Sequence, residues 1–371
     1  MAKKALSSDE RLAWLRLART ETIGPSTFAA LLARFPDVRE ALDAAPRLAR
    51  RGGRRELEIT SEADAKAELD RLANLRGRTL AYAEPEFPLA LAALDPPPPV
   101  ISVIGDLALL KREMVAVVGA RNASGLGIKL AGLIAGDLSR AGLVIASGMA
   151  RGIDAAAHRA ALERGTIAVL AGGVDVVYPP EHRELYDEIC RRGAIISEMP
   201  IGMAPLPRHF PRRNRLISGL SRGTVVIEAA ERSGSLITAH YAIEQGREVF
   251  AVPGSPLDPR AKGANRLIRD GAVLTESAED VLNTLSPVLK QGFRETVPRE
   301  APRGLRIDAM IEAEADVVRA AIQEKLGAAP VEVDELVRQT GAPAEAVTTA
   351  LLELELAGSV QRHPGNRVSW K

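Results

Sequence analysis

The chain of 371 residues has one cysteine, few aromatic rings and no surplus of either charge. Each shortage excludes something. A lone Cys190 builds neither an internal disulfide framework nor a cysteine-rich zinc site, and it fits a reducing compartment. Aromatics are 3% of the chain, too few to pave a long stacking groove for a single strand. The 49 Lys and Arg against 48 Asp and Glu leave +1, which excludes a uniformly basic coat for nucleic acid and an acidic solvating tail alike. No uninterrupted apolar run reaches the length of a bilayer span. The opening MAKKALSSDERLAWLRL lacks the apolar core and cleavage site of a secretory signal, so a cytoplasmic protein is expected. What is present, 46% hydrophobic and 26% charged residues over this length, suits two or three soluble domains.

Charge that balances in the total is uneven along the length. Residues 1–55 carry 12 Lys and Arg against 6 Asp and Glu, whereas residues 300–371 carry 8 against 12. The first stretch has helical stripes at Leu12, Leu15, Leu17, Ala18 and at Phe28, Leu31, Leu32, joined by the turn Ile23-Gly24-Pro25. It reads either as a plain helical bundle or as a helix-hairpin-helix unit whose turn amides hold a phosphate. Residues 85–99, ending Asp95-Pro96-Pro97-Pro98-Pro99, are expected to be extended rather than helical.

From about 100 to 280, apolar runs without polar alternation recur between helical stretches. They are Val115–Gly119, Leu143–Ser147, Thr166–Leu170, Ala194–Ser197, Thr224–Glu228 and Glu248–Pro253. Such runs are parallel strands covered on both faces, so the fold class is α/β: a Rossmann-like doubly wound parallel sheet. Residues 284–306 have no sustained period and read as a linker. Helices at Ala315–Leu326, Val333–Gln339 and Ala344–Leu356, then a strand pair about His363-Pro364-Gly365-Asn366, make a winged helix. The expected division is a small helical domain at 1–75, the Rossmann-like domain at 76–285, a linker at 286–306 and a winged-helix domain at 307–371.

Ligands of doubly wound sheets sit beyond the carboxyl ends of the strands. The first loop there runs from Gly119 through Arg121 and Ser124 to Gly127. It is Gly-rich but matches neither GxGxxG nor a P-loop, and no acid follows the next strand to grip a ribose, so NAD and ATP are disfavoured. The second loop, Ser147-Gly148-Met149-Ala150-Arg151-Gly152-Ile153-Asp154, repeats glycine with arginine. Asp154 is read as an acid at a helix start rather than as a catalyst. From Met199 to Ile227 there is no acid, while Arg208, Arg212, Arg213, Arg215 and Arg222 occur with His209 and Phe210. Arginine with aromatics is the composition of a nucleic-acid groove; the alternative is a loop whose arginines pair with acids elsewhere. In the fourth loop Ser233-Gly234-Ser235 suits a phosphate or a helix cap, and Glu228 suits a general acid–base or a brace. The five histidines show no HExxH spacing, and no GxSxG elbow exists; neither a catalytic nor a metal site is assigned.

Several long motifs occur in one order: Ser147-Gly-Met-Ala-Arg-Gly-Ile-Asp154, Gly172-Gly-Val-Asp-Val-Val-Tyr-Pro179, Ile196-Ser-Glu-Met-Pro200, Phe210-Pro-Arg-Arg-Asn-Arg-Leu-Ile-Ser-Gly-Leu-Ser221, Ser233-Gly-Ser-Leu-Ile-Thr-Ala239, Val249-Phe-Ala-Val-Pro-Gly254 and Gly263-Ala-Asn265. The series resembles the DNA-processing protein A (DprA/Smf) family, densely over 100–280, and the flanking domains fit its layout. The resemblance implies a protein without cofactor or catalytic activity that binds single-stranded DNA in natural transformation, loads RecA onto it and works as a homodimer. The family's strand-binding cations fall on Arg121 and Arg151. One departure is Gly-Ala-Arg at 119–121, where Gly-Ser-Arg is usual, which removes one hydroxyl. The expected DNA-binding set is Gly119, Arg121, Ser124, Gly148, Arg151, Gly152, Arg212, Arg213, Arg215, Ser233, Gly234 and Ser235. The rival reading is a Rossmann-like nucleotide hydrolase using Glu228 with Arg121. The third winged-helix helix carries Glu345, Glu353 and Glu355 without Lys or Arg, so it is expected to meet protein, or only to stabilise the chain, rather than contact a DNA groove.

Overall fold

The computed structural model describes residues 3–35, 37–289, 309–363 and 365–371. The chain starts with three helices, α1 (Ser8–Arg19), α2 (Pro25–Arg34) and α3 (Val38–Arg51). Ser7 caps α1 by accepting from the Glu10 amide while Glu10 reaches back to the Ser7 amide, a capping box. Trp14, Leu15, Leu17, Phe28, Leu31 and Leu48 are buried, so the apolar stripes of the sequence are the bundle core.

After α4 (Glu62–Asn74) come β1 (Arg78–Ala81), α5 (Leu89–Ala92), β2 (Val100–Gly105), β3 (Met114–Gly119), α6 (Gly125–Arg140), β4 (Val144–Ser147), α7 (Ile153–Ala161), β5 (Thr166–Val169), α8 (Arg183–Arg192), β6 (Ala194–Ser197), α9 (His209–Leu220), β7 (Gly223–Ile227), α10 (Gly234–Glu244), β8 (Glu248–Ala251), α11 (Lys262–Arg269), β9 (Val273–Leu274) and α12 (Ala278–Leu289). The nine strands form one sheet in the order β1-β2-β6-β5-β4-β3-β7-β8-β9. From β6 to β9 all pairings are parallel. Alternate residues of β3 go to opposite cores: Ala116 and Val118 pack with Leu216, Ile217 and Leu220 of α9, whereas Val115 and Val117 pack with Ile134 and Leu138 of α6. Two buried faces account for the lack of polar alternation.

The expected parallel sheet runs from β6 to β9, and β2, antiparallel to β6, and β1, antiparallel to β2, add an edge to it. Two expectations are corrected. Residues 85–99 are not wholly extended: Leu89–Ala92 forms the single turn α5, since Pro88 sits ahead of the helix where no amide is needed. The arginine-rich stretch after Arg208 is the helix α9 and not a loop. The expected linker at 286–306 overlaps α12 as far as Leu289; from 290 on it lies outside the described residues.

The C-terminal segment holds α13 (Ala309–Lys325), β10 (Val331–Glu332), α14 (Val333–Thr340), α15 (Ala344–Ala357), β11 (Val360–His363) and β12 (Arg367–Trp370), with the strands ordered β10-β12-β11. Three helices and a small antiparallel sheet are a winged helix. The chain divides into two compact units, residues 68–295 and, in the other, 1–67 together with 296–371. No helix among the described residues is long and apolar enough to cross a membrane.

Candidate nucleic-acid interface

Strand order reverses at β3, which lies between β4 and β7, and a crevice opens at such a switch point. Two adjoining cavities, of about 300 and 600 Å³, occupy it. Arg121, Asn122, Ala150, Phe210 and Arg213 line both. Gly148, Arg151, Gly172 and Tyr178 complete the smaller one; Gly119, Asp154, Ser233, Gly234 and Ser235 belong to the larger.

The wall is built by one face of α9. Phe210, Arg213, Asn214 and Ile217, spaced as i, i+3, i+4 and i+7, all line the larger cavity. Two guanidinium groups stand over the Phe210 ring, Arg121 at 5.2 Å and Arg213 at 5.7 Å from its centroid, with Tyr178 edge-on at 5.9 Å. Ring quadrupole and cation attract, so the aromatic face holds both charges in place.

Arg213 is buried at 6% exposure. Burial lowers its pKa to about 10, against the favourable charge of Asp154, so it stays ionised at neutral pH. Its Nε has no hydrogen-bond partner, and among the described residues it makes no ion pair. Asp154 turns instead to backbone, accepting from the Gly148 and Ala150 amides at 3.2 Å each, and burial raises its pKa. A desolvated cation lacking a carboxylate at contact distance is costly unless an anion completes the site. Gly148 makes room for it: a Cβ there would stand 1.1 Å from Arg213 Nη1. Gly152 has φ +72° and a Cβ there would meet the Ala120 carbonyl at 2.3 Å, so glycine closes the first two loops against each other.

The other expected site residues fall into two groups. Arg121 and Arg151 are exposed on the cavity walls, Arg151 in a surface pair with Glu181 that solvent weakens. Ser233 caps α10, accepting from the Ser235 amide at 3.3 Å, and their hydroxyls meet at 2.7 Å, with Gly234 exposed at the helix start. Arg212 is exposed but lines neither cavity. Arg215 is held by Glu198 at 3.1 Å and the Pro96 carbonyl at 2.6 Å, and Arg222 by Glu113. For these last two, acids distant in sequence are the partners.

Glu228 explains Ser124. It ends β7 with φ +52°, and its carboxylate accepts from the Ser124 amide at 2.8 Å and from the Ser124 hydroxyl. That hydroxyl in turn accepts from the Gly127 amide at 2.9 Å, capping α6. The carboxylate thus already occupies the positive helix end that the Gly-rich loop offered to a phosphate. Phe210, Tyr178 and Asn122 were not among the expected contacts. Spacing of 210 against 213 marks the first, but only once the segment is known to be helical.

Residues 78–286 match the family model of DNA recombination-mediator protein A, residues 8–70 a DprA-like N-terminal HHH domain and residues 308–366 a DprA winged helix domain. Protein Smf of Escherichia coli is 40% identical over 296 residues, covering 78% of this chain and 76% of its own. The DNA processing protein DprA of Bacillus subtilis is 43% identical over 210 residues, 56% of this chain and 71% of its own. The X-ray structure of DprA from Streptococcus pneumoniae aligns at TM-score 0.64 and 35% identity, over 75% of this chain and 98% of that one. A structure of DprA from Helicobacter pylori, described by its single-stranded DNA binding mode, aligns at TM-score 0.53 and 29% identity over 57% and 97%.

Proposed function

The chain belongs to the DNA recombination-mediator protein A family, and from this we propose that the crevice between β3, β4 and β7 binds the sugar-phosphate backbone of single-stranded DNA. The observation that carries the reading is Arg213: a buried, ionised guanidinium without an ion-pair partner among the described residues, lining both cavities. Arg121 and Arg151 supply exposed charge at the cavity, and the Gly234 start of α10 supplies a backbone amide at a positive helix end. Phe210 and Tyr178 offer one or two base-sized aromatic faces, so stacking is local and phosphate contacts dominate. Binding is then steeply salt-dependent and weakly sequence-selective. Arg212 is a peripheral contact in this reading, while Arg215 and Ser124 are braces.

Beyond the strand, the bound DNA is handed to RecA and the chain acts as a homodimer; the support for both is the family resemblance. Co-precipitation of RecA with and without single-stranded DNA, and sedimentation at several concentrations, test these two points. The site itself is tested by salt titration of strand binding. Arg121→Ala and Arg151→Ala each lower affinity and flatten the log–log salt slope by about 0.7 per lost phosphate contact. Unchanged binding in both variants would sink the assignment. The hydrolase alternative gains nothing from Glu228, whose carboxylate is engaged by Ser124.

A further inference from the structure

The third helix of a winged helix ordinarily reads a DNA groove, so the surroundings of α15 decide what this one does. Its buried residues are Ala346, Val347 and the unbroken run Ala350, Leu351, Leu352, Glu353, Leu354, Glu355 and Leu356, so the second half of the helix is covered on all sides, while Ala344, Glu345 and Thr348 are exposed. Val347, Ala350, Leu351 and Leu354 belong to the core of the winged helix itself, with Ile322 and Leu336. The opposite face lies on the N-terminal bundle. Thr27 of α2 donates to the Glu355 carboxylate at 3.0 Å, Thr22 donates to the Leu356 carbonyl at 3.0 Å, and Arg34 reaches Thr349 at 3.3 Å. Gly52, just after α3, packs so closely on α15 that a Cβ there would stand 2.0 Å from the Glu353 carbonyl oxygen.

The charges at this seam are matched. Glu353, fully buried, pairs with Arg51 of α3 at 2.9 Å and with Arg319 of α13 at 2.8 Å. Arg51 also holds Asp316 of α13 at 3.0 Å. Glu355 pairs with Arg362 of β11 at 2.6 Å while accepting from Thr27. Burial raises the Glu353 carboxyl pKa, and Arg319 and Arg51 counter it. Carboxylates in an apolar seam are costly alone and are tolerated here because Glu353 has two guanidinium partners and Glu355 has a guanidinium and a hydroxyl.

We infer that α15 is an intramolecular docking helix: the winged helix takes the chain's own N-terminal bundle as its partner, through Glu353 and Glu355, and is closed to a DNA groove on that face. Across it, Arg51 of the basic N-terminal stretch faces Glu353 and Asp316 of the acidic C-terminal one. Hydrogen–deuterium exchange on the full chain tests it. Arg51→Glu speeds exchange of 346–356 and of 38–49 together, by at least about tenfold, while α6 and α10 keep their rates. If Arg51→Glu does not accumulate, Arg51→Gln gives the same pattern at smaller amplitude and Arg51→Lys restores protection. Faster exchange in 38–49 alone, with 346–356 unchanged, would overturn the inference. So would protection of α15 gained only when duplex DNA is added to the wild-type chain.

Discussion

His158 shows how one buried group ties the strand-end region to pH. It sits on α7 without exposure, its Nδ1 2.7 Å from the Thr166 hydroxyl, which itself donates to the Ile145 carbonyl at 2.6 Å. The hydroxyl proton being committed, Nδ1–H donates to Thr166 and Nε2 is the bare nitrogen, without a partner. Burial first, then the nearby charges of His182 and Arg213, lower the imidazole pKa to about 3. An unfolded histidine titrates near 6.5. Below that pH the unfolded chain gains a proton that the folded chain refuses, so stability is full above about 6.5 and falls as pH drops toward 3. Between pH 6 and pH 5, denaturant unfolding of the wild type is expected to lose about 1 kcal/mol more than that of His158→Gln. Parallel pH profiles for the two proteins would contradict this. At the same scale, the sequence shows Arg213 as one of five arginines and cannot show that it is buried without an ion-pair partner among the described residues, whereas Arg222 is buried against Glu113, because the place of Arg213 depends on Gly148 of another loop.

At the scale of elements, α9 is where reading by composition went furthest astray. The run of arginines left a loop as the alternative, yet it lies on a helix whose first turn holds Pro211, where a proline costs no hydrogen bond. Once the segment is helical, the arginines separate: 213 faces the cavities, 212 faces solvent, and 215 meets Glu198. Phe210→Leu keeps the bulk of the wall but removes the ring that Arg121 and Arg213 stand over. Its strand affinity at fixed salt is expected to fall by about 1–2 kcal/mol, with the salt slope kept, whereas Arg212→Ala changes affinity much less. Equal losses in a filter-binding or anisotropy titration would show that α9 does not present one face to the strand. In α6 the Gly-rich loop was legible as a helix start, but not the filling of that start by Glu228, 104 residues away.

At the scale of the molecule, every residue of the proposed strand site lies in the α/β unit, and the winged helix belongs to the other unit. Deleting residues 307–371 is therefore expected to leave single-strand affinity within tenfold at fixed salt. It also strips the cover from the α2–α3 face, so the truncated chain should melt lower and aggregate. A tenfold loss of affinity in the strand titration would place part of the DNA site in the winged helix. The uneven charge of the two chain ends meets at one point of the seam, where Arg51 of the basic end pairs with Glu353 and Asp316 of the acidic end.

By itself the sequence determined the α/β class, the strands from β3 to β8, the three-helix reading of the C-terminal segment and the loops that face the crevice. These rest on local periodicity and on glycine and proline placement, which short stretches of chain carry. Tertiary structure decided the antiparallel edge of β1 and β2, the sorting of the arginines, the use of Glu228 and the partner of α15. Each of those is a contact between residues far apart in the chain, and the pairing of a charge depends on which distant group the fold brings to within hydrogen-bond reach.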